Sequence, residues 1–136
     1  VIIEEPKTGK IVAMASAPEF DPNEYSASPV GNFVNPAVSA IYEPGSVFKP
    51  ITMASGIEEG VITPTSTYYD TGKVTLNGKT IENWDHKVYG RISMTRVIER
   101  SVNTGAVYAQ SQIGNKKFHE YLERFGFGIL TNIGLP

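Results

Sequence analysis

The sequence contains no cysteine, which removes disulfides and thiolate metal sites and is compatible with any compartment, oxidising ones included. It has only two histidines. His86 and His119 stand far apart without ligand-like neighbours, so no metal site is expected. It has no excess charge of either sign: 12 Lys and Arg against 14 Asp and Glu leave a net charge of −2. The basic face that nucleic acid requires is therefore not expected. No apolar run approaches the ~18 residues needed to cross a bilayer, and no signal peptide is visible. There is no internal repeat and no low-complexity tract. What is there is a chain of 136 residues, 40% hydrophobic and 19% charged. That composition is globular, and the length suits one domain with a core rather than two.

Two short strand-like runs, Val1–Glu5 and Lys10–Ala15, flank Pro6-Lys7-Thr8-Gly9, which reads as a β-hairpin turn. Ala17 to Asn35 is rich in Pro, Asn, Ser and Gly without a sustained period, and reads as a surface loop. Ser46 to Glu59 reads as a helix, with Val47, Ile51, Ala54 and Ile57 as its apolar face and Gly60 as its stop. A second hairpin is expected over Lys73–Ile81, because Asn77-Gly78 is a strong type I′ turn signal. Ser93 to Ile113 has a helical pattern broken at "SVNTG". Asn115 to Phe125 forms a further amphipathic helix with Phe118, Tyr121, Leu122 and Phe125 on one side. Hairpins first and helices later, with no strand–helix alternation, favour an α+β fold.

The stretch "IYEPGSVFKPIT" places Ser46 three residues ahead of Lys49, so both side chains share one side of a helix start. At that end the free N–H groups and the dipole can stabilise an oxyanion. A serine hydroxyl needs a neighbour to take its proton. A lysine can do so where burial lowers its pKa from about 10.4, and Phe48 with the aliphatic residues around it would supply that burial. The alternative is a cap serine followed by a solvated lysine. Downstream, Ser101 and Asn103 in "SVNTG" have the same two readings: polar side chains projected into a cleft, or caps of the next helix.

Context bears on that choice. "YEPGSVFKPIT" resembles the nucleophile motif of the penicillin-binding proteins, in particular the peptidoglycan transpeptidase domain of their class B members. "TGKIVAMASAPEFDPN" is similar to that family's first hairpin and the loop after it, and "GRISMTRVIERSVNTGAVYAQSQIG" to the segment with its second motif. "YLERFGFG" and "GLP" are similar to the stretch of the family that comes next in the chain. The resemblance covers nearly the whole chain. It implies that Ser46 is the acylated nucleophile and Lys49 its general base. Ser101 would relay the proton between Lys49 and the leaving amine. Asn103 would bind the substrate amide and orient Lys49. It implies a partial β-lactamase/transpeptidase-like α+β fold: an N-terminal β-hairpin, the active-site helix and a helical subdomain, without the later sheet strands.

The family's third motif, Lys-Thr-Gly, lies downstream of the second on a strand lining the cleft. Here Lys7-Thr8-Gly9 precedes the serine and reads as a hairpin turn, and "DTGK" at Asp70–Lys73 is another turn. No residues after Asn103 spell the motif. Residues 1–136 are thus expected to be the N-terminal portion of a single, incomplete transpeptidase domain, nearly inactive alone, from a longer protein anchored by a transmembrane helix outside this sequence.

The implied function is acyl transfer from D-Ala-D-Ala stem peptides in cross-linking of bacterial peptidoglycan, at the extracytoplasmic face of the cytoplasmic membrane and within a cell-wall synthesis complex. β-Lactam antibiotics would acylate Ser46, and neither cofactor nor metal is implied. The alternatives are a serine β-lactamase or D,D-carboxypeptidase of the same fold, and a non-turnover β-lactam-sensing or scaffold domain. Trp84 is expected to pack, with substrate contact as the alternative. Tyr42 and Glu43 should support the turn, and Thr52 and Met53 should pack.

Overall fold

The computed structural model describes residues 1–134; the end of the "GLP" segment, Leu135 and Pro136, lies outside them. The chain forms two compact units, one of Val1–Glu43 with the chain from Asn132, the other of Pro44–Thr131.

In the first unit, β1 (Ile2–Glu5) and β2 (Lys10–Met14) pair antiparallel. Ile3 faces Ala13 and Glu4 faces Ile11, so a bulge shifts the register between them. The turn is closed by the Gly9 N–H on the Glu5 carbonyl at 2.9 Å and by the Thr8 hydroxyl on the Glu5 carboxylate at 2.6 Å. Lys7-Thr8-Gly9 is therefore a turn, as expected. The segment read as a loop contains two 3-10 turns, Tyr25–Ala27 and Val30–Phe33, and Phe33 packs edge-on against Phe20 at 4.9 Å. A single-turn helix, α1 (Pro36–Ser39), comes next, with Asn35 as its cap and Pro36 at its first position.

The second unit opens with a 3-10 turn, Gly45–Phe48, continuing into α2 (Lys49–Glu58). Then come β3 (Thr67–Asp70), β4 (Lys73–Leu76), β5 (Lys79–Glu82) and β6 (Gly90–Ser93), and after them α3 (Met94–Glu99), α4 (Asn103–Ile113) and α5 (Asn115–Arg124). β4 and β5 form the expected hairpin, with Asn77 at φ 49° and Gly78 at φ 78°, the pair of left-handed positions a type I′ turn requires. β3 and β6 pair antiparallel around that hairpin and are not signalled by the sequence pattern. The architecture is α+β, with two-stranded sheets and a helical cluster.

The core holds Met53, Ile62, Met94, Val97, Val102 and Ala109, with Tyr68, Tyr89, Ile92 and Tyr108 packed on it. Burying a side chain such as Val97 or Ile62 contributes about 1.5–3 kcal/mol. α4 packs on α2 and on α3. Gly105 permits the second contact: a Cβ there would lie 2.5 Å from Val97 Cγ2 and 3.0 Å from Tyr68 Oη.

One expectation is corrected on α2. Its apolar side stays largely outside, with Val47 75% and Ile57 50% exposed. The buried side carries Lys49, Thr52, Met53, Ser55 and Gly56. Polar groups can be buried there because they are hydrogen-bonded: Ser55 Oγ donates to the Ile51 carbonyl at 2.8 Å, and Lys49 Nζ donates to Ser101 and Asn103. Hydrophobic periodicity misassigns the helix side because the inward side carries polar chemistry. On α5 the expected apolar side is only partly inward, with Tyr121 buried and Phe125 exposed. Among the described residues no helix is long and apolar enough to cross a membrane.

Candidate active site

The turn before α2 delivers Ser46. Gly45 has φ 65°, and Ser46 sits in the 3-10 turn one residue later, exposed, with its carbonyl accepting the Lys49 N–H. No side chain caps α2, so Ser46 is not a capping serine. Lys49, at the first helical position, points inward and is only 9% exposed.

The second segment comes from the break between α3 and α4. Ser101 has φ 52°, a left-handed conformation that costs a non-glycine residue roughly 1–3 kcal/mol. That conformation turns both its carbonyl and its hydroxyl toward the lysine. Lys49 Nζ donates to Ser101 O at 2.6 Å, Ser101 Oγ at 3.0 Å and Asn103 Oδ1 at 2.7 Å. Ser101 Oγ donates in turn to Ser46 Oγ at 2.8 Å. Asn103 Nδ2 donates to the Glu82 carbonyl at 2.7 Å, at the end of β5. The residue capping α4 is Val102, without a side-chain cap bond, so Ser101 and Asn103 do not serve as caps either. Ser46, Lys49, Ser101 and Asn103 are brought into one hydrogen-bonded group.

Three acceptors match the three protons of an ammonium group, so this geometry belongs to protonated Lys49. Burial nevertheless lowers its pKa from the ordinary 10.5, which makes the neutral amine more accessible than on a solvated lysine. The chain Ser46–Ser101–Lys49 is a continuous path for a proton between hydroxyl and amine.

Ser46 and Ser101 open onto a cleft of about 570 Å³ whose walls include Trp84, Asp85, Tyr89 and Arg100. Trp84 does not pack in the core as expected: it is 68% exposed, its indole N–H donating to the Arg100 carbonyl at 3.1 Å. Asp85 accepts from the Tyr89 hydroxyl at 2.7 Å, which holds its carboxyl below the usual range. Thr52 and Met53 are buried, as expected, whereas Tyr42 is exposed. His86 lies beside Glu82 and His119 beside Glu123, all on the surface.

Sequence reasoning misses the support beneath the group. Asp70, Asn83 and Thr104 are buried and hydrogen-bonded to one another, yet in the sequence Asp70 belongs to a turn, Asn83 to no motif, and Thr104 lies in "SVNTG" only as the neighbour of Asn103.

A family model described as the penicillin binding protein transpeptidase domain matches residues 1–136. Among curated relatives, penicillin-binding protein PbpB of Mycolicibacterium smegmatis is 34% identical over 99% of this chain and 21% of its own length. Stage V sporulation protein D of Bacillus subtilis is 36% identical over 96% of this chain and 20% of its own. Peptidoglycan D,D-transpeptidase MrdA of Escherichia coli is 33% identical over 99% and 24%. The D,D-transpeptidase domain of a peptidoglycan glycosyltransferase from Eggerthella lenta superposes with a TM-score of 0.87 at 28% identity, covering 99% of this chain and 34% of that one. Pseudomonas aeruginosa PBP2, solved in complex with WCK 5153, gives 0.81 at 30% identity over 93% and 31%. The chain thus spans about a fifth of the length of its curated relatives, and it belongs to the penicillin-binding protein transpeptidase domain family.

Proposed function

We propose that the protein containing this chain is a peptidoglycan D,D-transpeptidase, with residues 1–136 part of one transpeptidase domain and Ser46 its nucleophile. The observation that supports this best is the hydrogen-bonded line from Ser46 Oγ through Ser101 Oγ to Lys49 Nζ. In the reactive form Lys49 is neutral and the line reverses its polarity. Ser46 passes its proton to Ser101 as Ser101 passes its own to Lys49, and Ser46 Oγ attacks the carbonyl carbon joining the two terminal D-Ala residues of a stem peptide. The C–N bond breaks, the leaving amine takes the proton back through Ser101, and D-Ala departs. An amine of a neighbouring strand then attacks the acyl-serine ester and the C–O bond to Ser46 breaks. The amine's proton passes through Lys49 and Ser101 to Ser46 Oγ, cross-linking the wall and regenerating Ser46. General acid–base catalysis of this kind contributes about 10²–10⁴-fold.

Asn103 divides its amide among three tasks. Its oxygen holds Lys49 and one N–H is anchored on Glu82, leaving the second N–H for a substrate carbonyl. A β-lactam carbonyl presents the same electrophile to Ser46. The site of action is the extracytoplasmic face of the bacterial cytoplasmic membrane, where the substrate lies, within a cell-wall synthesis complex.

The test is incubation of the full-length protein with a penicillin and with a D-Ala-D-Ala stem peptide. A lasting adduct on Ser46 by mass spectrometry and D-Ala release with cross-linked product are expected, both lost in Ser46→Ala. Rapid turnover of the penicillin would assign a β-lactamase instead. D-Ala release without cross-linking would assign a carboxypeptidase, and an adduct without D-Ala release a sensor. No adduct at all would overturn acylation of Ser46.

A further inference from the structure

The group that holds Lys49 is itself held from below. Asp70, at the end of β3, is fully buried at 0% exposure, and its carboxylate accepts from four donors. Oδ1 takes the Thr104 hydroxyl at 2.6 Å and the Gly72 N–H at 3.0 Å. Oδ2 takes the Tyr89 N–H at 2.8 Å and the Asn83 amide at 3.0 Å. Asn83 Oδ1 in turn accepts the Thr104 N–H at 3.3 Å, one of the N–H groups left free at the start of α4. The Tyr68 hydroxyl lies 3.1 Å from Thr104 Oγ1. Because the Thr104 proton goes to Asp70, the tyrosine is the donor in that pair.

Two features make this more than a generic buried cluster. α4 has no cap of its own, so Asn83 and Asp70 supply one from another part of the chain, with a negative charge at the positive end of the helix. Moreover, Glu82 and Asn83 are adjacent at the end of β5. Glu82 holds the Asn103 side chain while Asn83 holds the Thr104 backbone. The first turn of α4, which carries Asn103 to Lys49, is therefore clamped at two consecutive residues by two consecutive residues.

We propose, resting on the acyl-transfer function, that Asp70, acting through Asn83 and Thr104, is a positioning residue for Lys49 and hence for acylation of Ser46. It touches neither the reacting atoms nor substrate. Its carboxylate keeps the start of α4 and the end of β5 in register, so that Asn103 Oδ1 stays within hydrogen-bond reach of Lys49 Nζ. An amide cannot replace it, since the Asp70→Asn side chain would turn an N–H toward donors that need acceptors.

The test uses the full-length protein and a fluorescent penicillin. It separates the probe's binding constant from the acylation rate constant at saturation, for the fraction of molecules that labels at the endpoint. Asp70→Asn is expected to slow acylation about 10²-fold, as loss of positioning does, with binding little changed. Thr104→Val should slow it about tenfold, and Thr104→Ser, which keeps the hydroxyl, should restore it. If the labelled fraction of either slow-predicted variant reacts at the wild-type rate while only thermal stability falls, the role is structural and the proposal is overturned. Should Asp70→Asn not fold, the Thr104 pair decides. The ¹⁵Nζ resonance of Lys49 reads the same geometry without any reaction. It is expected to move in Thr104→Val and to return in Thr104→Ser, and an unmoved resonance overturns the proposal. A wild-type protein that penicillin does not acylate, but whose Lys49 resonance responds in this way, would overturn the acyl-transfer function and leave the positioning role standing.

Discussion

Lys49 Nζ lies 2.7 Å from Asn103 Oδ1, joining residues separated by 54 positions in the chain. With Ser101 supplying two further acceptors, the ammonium is saturated in a site where the lysine is almost wholly buried. Burial and these hydrogen bonds oppose each other: the first favours the neutral amine, the second the cation. A group so placed is well defined in position and can still be deprotonated.

The first prediction concerns pH. Because burial lowers the pKa of Lys49, the acylation rate of the full-length protein should rise with pH through an inflection below 10.5, as the neutral amine becomes populated. Lys49→Met, similar in length and without the amine, should lose about 10²–10⁴-fold in rate and with it the inflection. A penicillin-labelling rate profile checks both.

Ser101 separates chemistry from backbone strain. Ser101→Ala and Ser101→Gly both remove the hydroxyl between Ser46 and Lys49, so both should slow acylation by about 10²-fold or more. They should differ in stability. Glycine at φ 52° relieves about 1–2 kcal/mol of left-handed strain, which outweighs the roughly 0.4–1 kcal/mol it costs through the unfolded chain. Urea unfolding should find Ser101→Gly the more stable of the two.

Asp70 should be visible in acid. Burial raises its pKa, but the hydrogen bonds from Thr104, Tyr89, Gly72 and Asn83 outweigh burial and leave it below the ordinary 3.8. As pH falls, the unfolded chain therefore takes up this proton before the folded one, and over that window stability rises with pH. The contribution is complete above the unfolded value and is lost as pH falls through the folded one. Unfolding free energies measured from about pH 6 to about pH 2.5 should show this slope below about pH 4, reduced in Asp70→Asn.

At Gly105 two effects compete. Alanine gains up to about 1 kcal/mol of helix propensity, but its Cβ would fall 2.5 and 2.7 Å from the two Val97 methyls. Val97 is fully buried and cannot retreat, and overpacking costs about 1–3 kcal/mol. Gly105→Ala should thus be destabilising by urea titration. Gly105→Ala combined with Val97→Ala should lose less than the two single changes added together.

The paired strands divide along the same line as the site. The β4–β5 hairpin is legible because Asn77-Gly78 is a local instruction, complete within two residues. β3 and β6 are not: "TYYD" and "GRIS" are four residues each, too short to show a period, and they find each other across the intervening hairpin. The inward side of α2 is misread for a related reason. Lys49, Thr52 and Ser55 look solvated by residue type. Ser55 bonds within its own helix, to the Ile51 carbonyl, but the burial of Lys49 is made tolerable only by Ser101 and Asn103, remote in the chain.

By itself the sequence placed Ser46 three residues ahead of Lys49 and Ser101 two ahead of Asn103, local spacings that left a capping and a chemical reading open for each segment. It also determined that Lys7-Thr8-Gly9 is a turn. Only the tertiary structure decided that the lysine bonds to Ser101 and Asn103, that Ser101 stands between it and Ser46, and that Trp84 lines the cleft. It alone placed a buried carboxylate under the start of α4. These are distances between segments remote in the chain, set by packing of α4 on α2 and by pairing of β3 with β6, and no local pattern encodes them.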